Sequence, residues 1–146
     1  MTSSWKGHRR DDTITSPAGY GHSIGSHAQE PLGHRRARSY LAIYRQFTFS
    51  VITRYEILRG LFAKGASKPL SAFDQLCATS RVLPLTDPII VQAATIYADL
   101  HQRGELIGDA DILIAATAIS HGLAVVTNNE AHFRRIRNLQ FLNWLA

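Results

Sequence analysis

The chain has one cysteine, Cys77, and one methionine among its 146 residues. A lone cysteine excludes a disulfide within the chain and favours a reducing compartment, so we expect a cytoplasmic protein. No apolar run approaches the roughly 20 residues of a membrane-spanning helix. An apolar core of the kind found in secretory signals is also absent near the start. We therefore expect neither a membrane protein nor a secreted one.

Glycine-rich phosphate loops are missing as well. The 10 glycines are scattered, and none forms a dinucleotide-binding or P-loop pattern after a strand. A phosphotransfer enzyme of the Rossmann type is therefore a poor candidate. The formal net charge of +5 permits a polyanionic partner, although a modest basic excess also serves solubility.

The first 36 residues differ in composition from the remainder. They are rich in Gly, Ser, His and Arg, lack apolar periodicity and are interrupted by Pro17 and Pro31. Such a composition offers too little apolar surface to offset chain entropy and is typical of disorder. Histidines in this segment lack the paired spacing of metal ligands. We expect residues 1–36 to be disordered and residues 37–146 to form one domain.

From Ala37 onward, apolar periodicity predicts helices that alternate with short strands. Because no hairpin turn separates the strands, this alternation indicates an α/β fold with a parallel sheet. The helices are expected at residues 37–46, 53–64, from Pro69, 86–101 and 109–121, with a turn or short helix at 130–133. The strands are expected at 47–50, 82–85, 123–126 and 140–144.

The stretch 108–129 carries polar residues at both ends of an apolar helix and strand. Asp109 and Asp111 open a helix that should stop at Gly122, since glycine after a cationic last turn is a common helix end. The strand that follows is continuously apolar, as in a parallel sheet covered on both faces. Carboxylates beside such a core are costly unless they are hydrogen-bonded or bound to a cation.

Three polar residues lie in segments that connect the expected strands and helices. Glu56 follows the first strand of this region, Asp111 lies in the first turn of its helix, and Asn129 follows strand 123–126. In parallel α/β sheets such positions meet beyond the carboxyl ends of the strands. Oxygen donors of this kind suit Mg²⁺ or Mn²⁺, which polarise a phosphate oxygen and lower the pKa of an attacking water.

Each of these residues also has a purely structural interpretation. Glu56 can reach back to the amide of Thr53 in a capping box. Asp109 can be an N-cap, and Asp111 a favourable first-turn carboxylate. Asn129 can belong to a turn. Since Asp109 and Asp111 are two positions apart, they do not share a helix face, so at most one points into a site.

Several segments, in this order, resemble a PIN domain, specifically the VapC-type toxins of bacterial type II toxin–antitoxin modules. The resemblance covers residues 37–146 and implies a three-layer α/β/α fold with a central parallel sheet. It also implies an endoribonuclease that hydrolyses RNA with Mg²⁺ or Mn²⁺, a small antitoxin that blocks the cleft, and a homodimer as one assembly. The matching segments are residues 49–60, 82–87, 104–118, 127–129, Phe133 and 143–144.

Carried over residue by residue, Glu56 matches the second acidic position of the family and Asp111 the third. The segment Ile-Leu-Ile-Ala-Ala directly after Asp111 assigns this position to Asp111 rather than Asp109. Asn129 stands near the fourth position, where a neutral amide here replaces an acid. The resemblance thus implies Glu56 and Asp111 as catalytic metal ligands, assisted by Asn129 and by Asp109.

The first acidic motif of the family has no counterpart in this chain as written. The family begins with an apolar strand that ends in Leu-Asp-Thr-Asp/Asn, whereas residues 11–14 follow Arg9 and Arg10 and lie far from Ala37. We therefore expect the first strand to be missing or non-native and the PIN domain to be N-terminally incomplete. Such a site implies an impaired ribonuclease.

A non-catalytic PIN-like module that binds an antitoxin is the alternative. The apolar and aromatic positions that such a module would use are Tyr40, Tyr44 and Phe62, together with neighbouring helical residues. Purification together with a small protein encoded nearby, without nuclease activity, would favour this alternative.

The codons available to residues 17–35 offer an explanation for the missing motif. Read from the second base of the Pro17 codon, residues 17–22 allow Leu-Leu-Asp-Thr-Asp-Thr, and the reading continues to Ala37. Our hypothesis is that the segment before Ala37 is translated out of frame. A nucleotide sequence that does not encode Leu-Asp-Thr-Asp in that frame would refute it.

Overall fold

The computed structural model describes residues 13–15 and 32–143, with side chains described from Arg35 onward except for Tyr44. Residues 1–12, 16–31 and 144–146 lie outside the described residues. The prediction of disorder therefore stays a prediction for residues 1–12 and 16–31, as does the extension of the last strand to Trp144.

Parallel strands form the centre of the structure. They are β1 (Thr13–Thr15), β2 (Thr48–Ser50), β3 (Arg81–Leu83), β4 (Ala124–Val126) and β5 (Phe141–Leu142). The sheet has the order β3-β2-β1-β4-β5, and each pair of neighbours is parallel. The central strand β1 therefore has β2 on one side and β4 on the other.

Helices cover both faces of this sheet, which confirms the three-layer α/β/α arrangement. Tyr40, Phe47 and Phe49 form a buried cluster with Leu76 on one face, and the larger core, which includes Ile89, lies on the other. The helices are α1 (Leu32–Tyr44), α2 (Val51–Lys64), α3 (Ser67–Ala78), α4 (Asp87–Gln102), α5 (Asp109–His121) and α6 (Glu130–Phe133).

Helix α5 is the most buried helix of the larger core. Ile114, Ala115 and Ala116 are fully buried because α4 packs on one side of the helix and the sheet lies on another. The helix ends at Gly122, whose φ of 66° is the left-handed conformation that glycine adopts without steric cost. The predicted bounds of this helix are confirmed.

The first strand was expected to be missing or non-native, and a strand is present at Thr13–Thr15. Backbone pairing places Thr13 beside Ala124 and Thr15 beside Val126, and Ile14 also pairs with Thr48. Three consecutive β-branched residues favour an extended backbone. In addition, without a strand between them β2 and β4 would leave backbone donors and acceptors unpaired.

The first helix and one predicted contact also differ from expectation. Helix α1 begins at Leu32, before the predicted start at Ala37. Tyr40, proposed as an antitoxin contact, is buried and stacks on Phe47 with ring centroids 5.8 Å apart. Phe62 is 64% exposed, and its role as an antitoxin contact stays a prediction, while the predicted contact Tyr44 has its side chain outside the described ones. Among the described residues, none of the helices has the length and apolar character needed to cross a membrane.

Candidate metal site

The candidate site lies where strands β2, β1 and β4 end side by side. In parallel sheets, ligands bind beyond the carboxyl ends of the strands, at the point where neighbouring connections run in opposite directions. The chain leaves β2 at Ser50 and enters α2, and it leaves β4 at Thr127 and enters α6. Both Ser50 and Thr127 are buried.

Ser50 determines how helix α2 begins. The Ser50 Oγ atom accepts a hydrogen bond from the Thr53 backbone N–H at 2.9 Å and donates to the Thr53 Oγ1 atom at 3.1 Å. The capping box predicted between Thr53 and Glu56 is therefore wrong, because another side chain already occupies the Thr53 amide. Glu56 lies one turn further along α2 and is not engaged in capping.

Glu56 is poorly compensated in this position. Its side chain is 18% exposed, and no described residue donates a hydrogen bond to its buried Oε1 atom. Burial raises the pKa of Glu56 above its ordinary value of 4.5, and the neighbouring Asp111 carboxylate raises it further. Arg59, whose guanidinium lies 3.8 Å from Oε2, opposes this shift. The charge of Glu56 thus lacks a full partner.

Asp111 faces the same region from the first turn of α5. Its side chain is 19% exposed, and its Oδ2 atom lies 2.8 Å from the Nδ1 atom of His132. The effect of Asp111 on the pKa of Glu56 indicates that the two carboxylates are close enough to repel each other. The structure therefore brings together the two residues that the sequence identified as the main ligands.

Asn129 reaches this region through a turn after β4. The Thr127 Oγ1 atom accepts a hydrogen bond from the Asn129 backbone N–H at 2.9 Å, as threonine does in short turns. The Asn129 side-chain amide lies 2.8 Å from His132 Nδ1. Asn129 thus joins the site through His132, while its role as a metal ligand stays a prediction.

Asp109 lies elsewhere. The N-cap of α5 is Gly108, so Asp109 is the first residue within the helix, and the prediction of an Asp109 cap was wrong. Glycine is tolerated as an N-cap because the cap residue has an extended backbone. Asp109 is exposed. Since the two positions differ by about 200° around the helix, Asp109 and Asp111 project in different directions.

His132 is a site residue that the sequence analysis missed. It contacts Asp111 across 21 positions of sequence, and no local pattern announces such a contact. The one available signal is its position three residues after Asn129, which places both on one side of the short helix α6.

The donor set fits a hard divalent cation in part. Within the described ranges, His, Cys, Asp and Glu side chains form no group of three or more with metal-binding geometry. Mg²⁺, however, is commonly bound by one or two carboxylates, with water and substrate phosphate completing its shell. Glu56 and Asp111 meet that requirement, and the unpartnered Oε1 atom of Glu56 is the kind of acceptor that a cation would satisfy.

Comparison with known proteins gives a consistent result. The PIN domain family matches residues 27–139. Ribonuclease VapC1 of Methanocaldococcus jannaschii is 35% identical over 88 residues, which span 60% of this chain and 62% of that protein. The tRNA(fMet)-specific endonuclease VapC of Salmonella typhimurium is 31% identical over 96 residues, which span 65% of this chain and 73% of that protein.

Solved structures show the same fold. A DNA-bound VapBC from Salmonella typhimurium matches with a TM-score of 0.74 at 23% identity, over 92% of this chain and 99% of the other. VapBC-1 from nontypeable Haemophilus influenzae matches with a TM-score of 0.63 at 25% identity, over 75% of this chain and 94% of the other. The chain therefore belongs to the PIN-domain family and, within it, to the VapC group.

Proposed function

We propose that this chain derives from a metal-dependent endoribonuclease toxin and that Glu56 and Asp111 hold its Mg²⁺ or Mn²⁺ ion. The observation that carries this proposal is the buried Oε1 atom of Glu56, which lacks a described hydrogen-bond donor and belongs to a carboxylate whose pKa the neighbouring Asp111 raises. A protein gains no stability from two close carboxylates without a cation, so this arrangement points to a functional role.

RNA is the proposed substrate, in the cytoplasm. Relatives of this chain are named ribonucleases, and one is named a tRNA(fMet)-specific endonuclease. The basic balance of the chain suits a polyanion. Arg59, exposed beside Glu56 on α2, supplies a guanidinium at the margin of the site that can contact a phosphate.

The residues of the site have separate roles in this proposal. A bound Mg²⁺ ion would supply Lewis-acid polarisation of the phosphate and lower the pKa of an attacking water. Glu56 and Asp111 would hold the ion by charge, while Asn129 would add no charge to the site. The turn through Thr127 keeps Asn129 and His132 next to Asp111.

We further propose that cleavage is impaired in the chain as written. The backbone of Thr15 ends the central strand beside Val126, where the family carries its first aspartate. Asp11 and Asp12 precede this strand in the sequence and lie outside the described residues. The negative charge offered to a cation is therefore lower than in an intact family member, and Asn129 at the fourth position lowers it again.

A cleavage assay with purified tRNA tests the proposal. We expect weak cleavage at most in Mg²⁺ or Mn²⁺ and none in EDTA. Robust Mg²⁺-dependent cleavage that Asp111→Ala abolishes would support the nuclease but contradict the impairment. Robust cleavage that survives Asp111→Ala would contradict the proposed site.

Binding of a small antitoxin is the second proposed function, and it does not require catalysis. Solved structures of similar fold are VapBC complexes. Tyr55, Arg59 and Phe62 lie along one side of α2, and Tyr55 and Phe62 are 58% and 64% exposed. Arg59 also packs over the Tyr55 ring. This surface begins one residue before Glu56, so a partner seated there would reach the site.

Co-expression with the small protein encoded beside the gene tests this second function. We expect a stable complex that Phe62→Ser weakens at least tenfold, because loss of an exposed aromatic anchor costs binding energy. Ile90→Ser, which removes an exposed apolar side chain from α4, is the matched control. The mass of the purified chain by light scattering shows whether a homodimer forms.

A further inference from the structure

We propose that His132 is a positioning residue for Asp111, which it holds by donating a hydrogen bond from Nδ1 to the carboxylate. This inference rests on the proposed metal site and concerns how that site is kept in order. The Nδ1 and Oδ2 atoms are 2.8 Å apart, a normal distance for a charge-assisted hydrogen bond.

The chemistry of the three neighbouring groups determines where the proton lies. An ionised carboxylate only accepts hydrogen bonds, so His132 Nδ1 must carry the proton that bonds Asp111. Nδ1 also lies 2.8 Å from the side-chain amide of Asn129. A protonated Nδ1 cannot accept from an amide N–H, so the Asn129 oxygen faces the ring. A rotation of the Asn129 amide by 180° gives this orientation, because it only exchanges the positions of the oxygen and the nitrogen.

The surroundings of His132 keep its ring in place. On one side, the Thr127 Oγ1 atom fixes the turn that leads to Asn129. On the other side, Phe133 is fully buried and anchors α6 to the core. Asn143 also donates to the Glu130 Oε1 atom at 2.9 Å, which ties the start of α6 to the end of β5. The ring itself is 39% exposed, and its Nδ1 atom contacts Asp111 and Asn129.

An imidazole suits this task better than a lysine or arginine side chain. It donates one N–H to Asp111 Oδ2 and leaves the carboxylate with its charge and with Oδ1 as a further acceptor. A lysine or arginine at the same place would cancel the charge that attracts a cation. Mutation of a residue that hydrogen-bonds a metal ligand commonly lowers metal affinity by about 10- to 100-fold.

Nitrogen NMR of the metal-free protein tests the hydrogen bond directly. In ¹⁵N-labelled full-length chain at pH 8, we expect a proton on Nδ1 of His132, and we expect Asp111→Asn to change the signals of that ring. His121, exposed at the far end of α5, is the internal reference. A His132 ring with its only proton on Nε2 would overturn the proposal.

Mn²⁺ binding tests the consequence for the site. We expect His132→Phe, which keeps a ring but has no donor, to weaken Mn²⁺ binding about 10- to 100-fold. His132→Asn places an amide N–H where Nδ1 lies and should bind within about threefold of the parent. His121→Phe is the matched control and should bind like the parent. Calorimetry gives the affinities, and circular dichroism shows whether each variant is folded.

The outcomes separate this inference from the proposed function. If the parent binds Mn²⁺ and His132→Phe binds it equally well, the positioning role is wrong while the metal site stands. If the parent binds no Mn²⁺ at millimolar concentration, the proposed metal site itself is wrong, whatever the NMR result for His132. A directly coordinated nitrogen in the pulsed EPR spectrum of the Mn²⁺ complex, lost in His132→Phe, would make His132 a ligand and overturn the positioning role.

Discussion

Two clusters of charged side chains flank the beginning of α5, and they are built in opposite ways. In the first, Arg103 donates to Asp99 Oδ2 at 2.7 and 3.1 Å, bonds Glu105 and reaches the backbone oxygen of Arg135. In the second, Asp111 raises the pKa of Glu56, and the buried Oε1 atom of Glu56 has no described hydrogen-bond donor. In the first cluster a guanidinium donates hydrogen bonds to both carboxylates, whereas in the second the guanidinium nearest to Glu56 lies 3.8 Å away.

The pKa directions express this difference. The hydrogen bond from Arg103 lowers the pKa of Asp99, whereas burial and Asp111 raise the pKa of Glu56. A lowered pKa marks a carboxylate that the fold stabilises in its charged form. A raised one marks a carboxylate whose charge the fold tolerates at a cost, which is common at functional sites. The hydrogen bonds of Arg103 therefore join the end of α4 to the segments around Glu105 and Arg135, whereas the Glu56 cluster is the one that we propose as a metal site.

Restoring the missing carboxylate should have the largest effect. Replacing residues 17–35 by the alternative-frame sequence, Leu-Leu-Asp-Thr-Asp-Thr-Leu-Ser-Ala-Leu-Met-Arg-Lys-Asn-Pro-Leu-Val-Ile-Ala, should raise Mg²⁺-dependent RNA cleavage by about 100-fold or more. The gain arises because a further carboxylate joins Glu56 and Asp111. The initial rate of tRNA cleavage measures it.

The matched control for this chimera carries asparagine in place of the aspartate introduced at position 19. It should cleave RNA no faster than the parent, while folding as well as the chimera. Equal cleavage by the chimera and this control would contradict the role of the restored carboxylate.

Removing either remaining carboxylate should weaken Mn²⁺ binding. We expect Glu56→Gln and Asp111→Asn each to lower the affinity at least about tenfold, because each removes one of the two charges that hold the ion. Asp109→Asn, which removes an exposed charge from the same helix, should leave the affinity within about twofold of the parent. Calorimetry at constant ionic strength measures all three. If Asp109→Asn lowered the Mn²⁺ affinity equally, the ion would be attracted by the net charge of the protein and not bound at the proposed site.

Glu56→Gln should also stabilise the metal-free protein at neutral pH, by about 1 kcal/mol. Because the folded state raises the pKa of Glu56, its ionisation disfavours folding, and the parent loses stability as pH rises through that raised pKa. The gain should therefore vanish below the ordinary value of 4.5. Urea unfolding at pH 8 and pH 4 measures it. A lower stability of the variant at pH 8 would show that Glu56 is already compensated.

Asp99→Asn should have the smallest effect, and in the opposite direction. We expect the melting temperature at pH 7 to fall by about 1–3 °C, because an ion pair that remains partly accessible to water contributes little. Since Arg103 lowers the pKa of Asp99, this contribution is present above the ordinary value of 3.8 and is lost as pH falls below it. Mn²⁺ binding should not change. A higher melting temperature for Asp99→Asn would contradict the claim that the Arg103 cluster stabilises the charge of Asp99.

Local patterns predicted the parts of the fold that depend on local physics. The apolar run from Ile112 and the glycine after His121 defined α5 with its observed ends. Motif spacing then selected Asp111 over Asp109. In the structure Asp111 contacts His132 and raises the pKa of Glu56, whereas Asp109 is exposed. Periodicity and spacing suffice here because a helix face is a property of nearby residues.

Local patterns failed where the residue that caps a helix depends on where the preceding segment ends. The capping box at Thr53 has the right residues, but Ser50, buried at the end of β2, takes the Thr53 amide first. Gly108 precedes Asp109 as the N-cap of α5. These outcomes depend on where the strand before each helix ends, which the helix sequence itself does not specify.

The sequence by itself determined the alternating helices and strands and the family resemblance, and it indicated Glu56 and Asp111 as candidate ligands. Only the tertiary structure decided that Thr13–Thr15 occupies the central strand and that His132 contacts Asp111. Parallel strands pair with partners far away in the chain, and the contact of His132 with Asp111 forms only when α5 and α6 meet at the same edge of the sheet. Such contacts depend on packing and backbone hydrogen bonds throughout the domain, which no short stretch of sequence specifies.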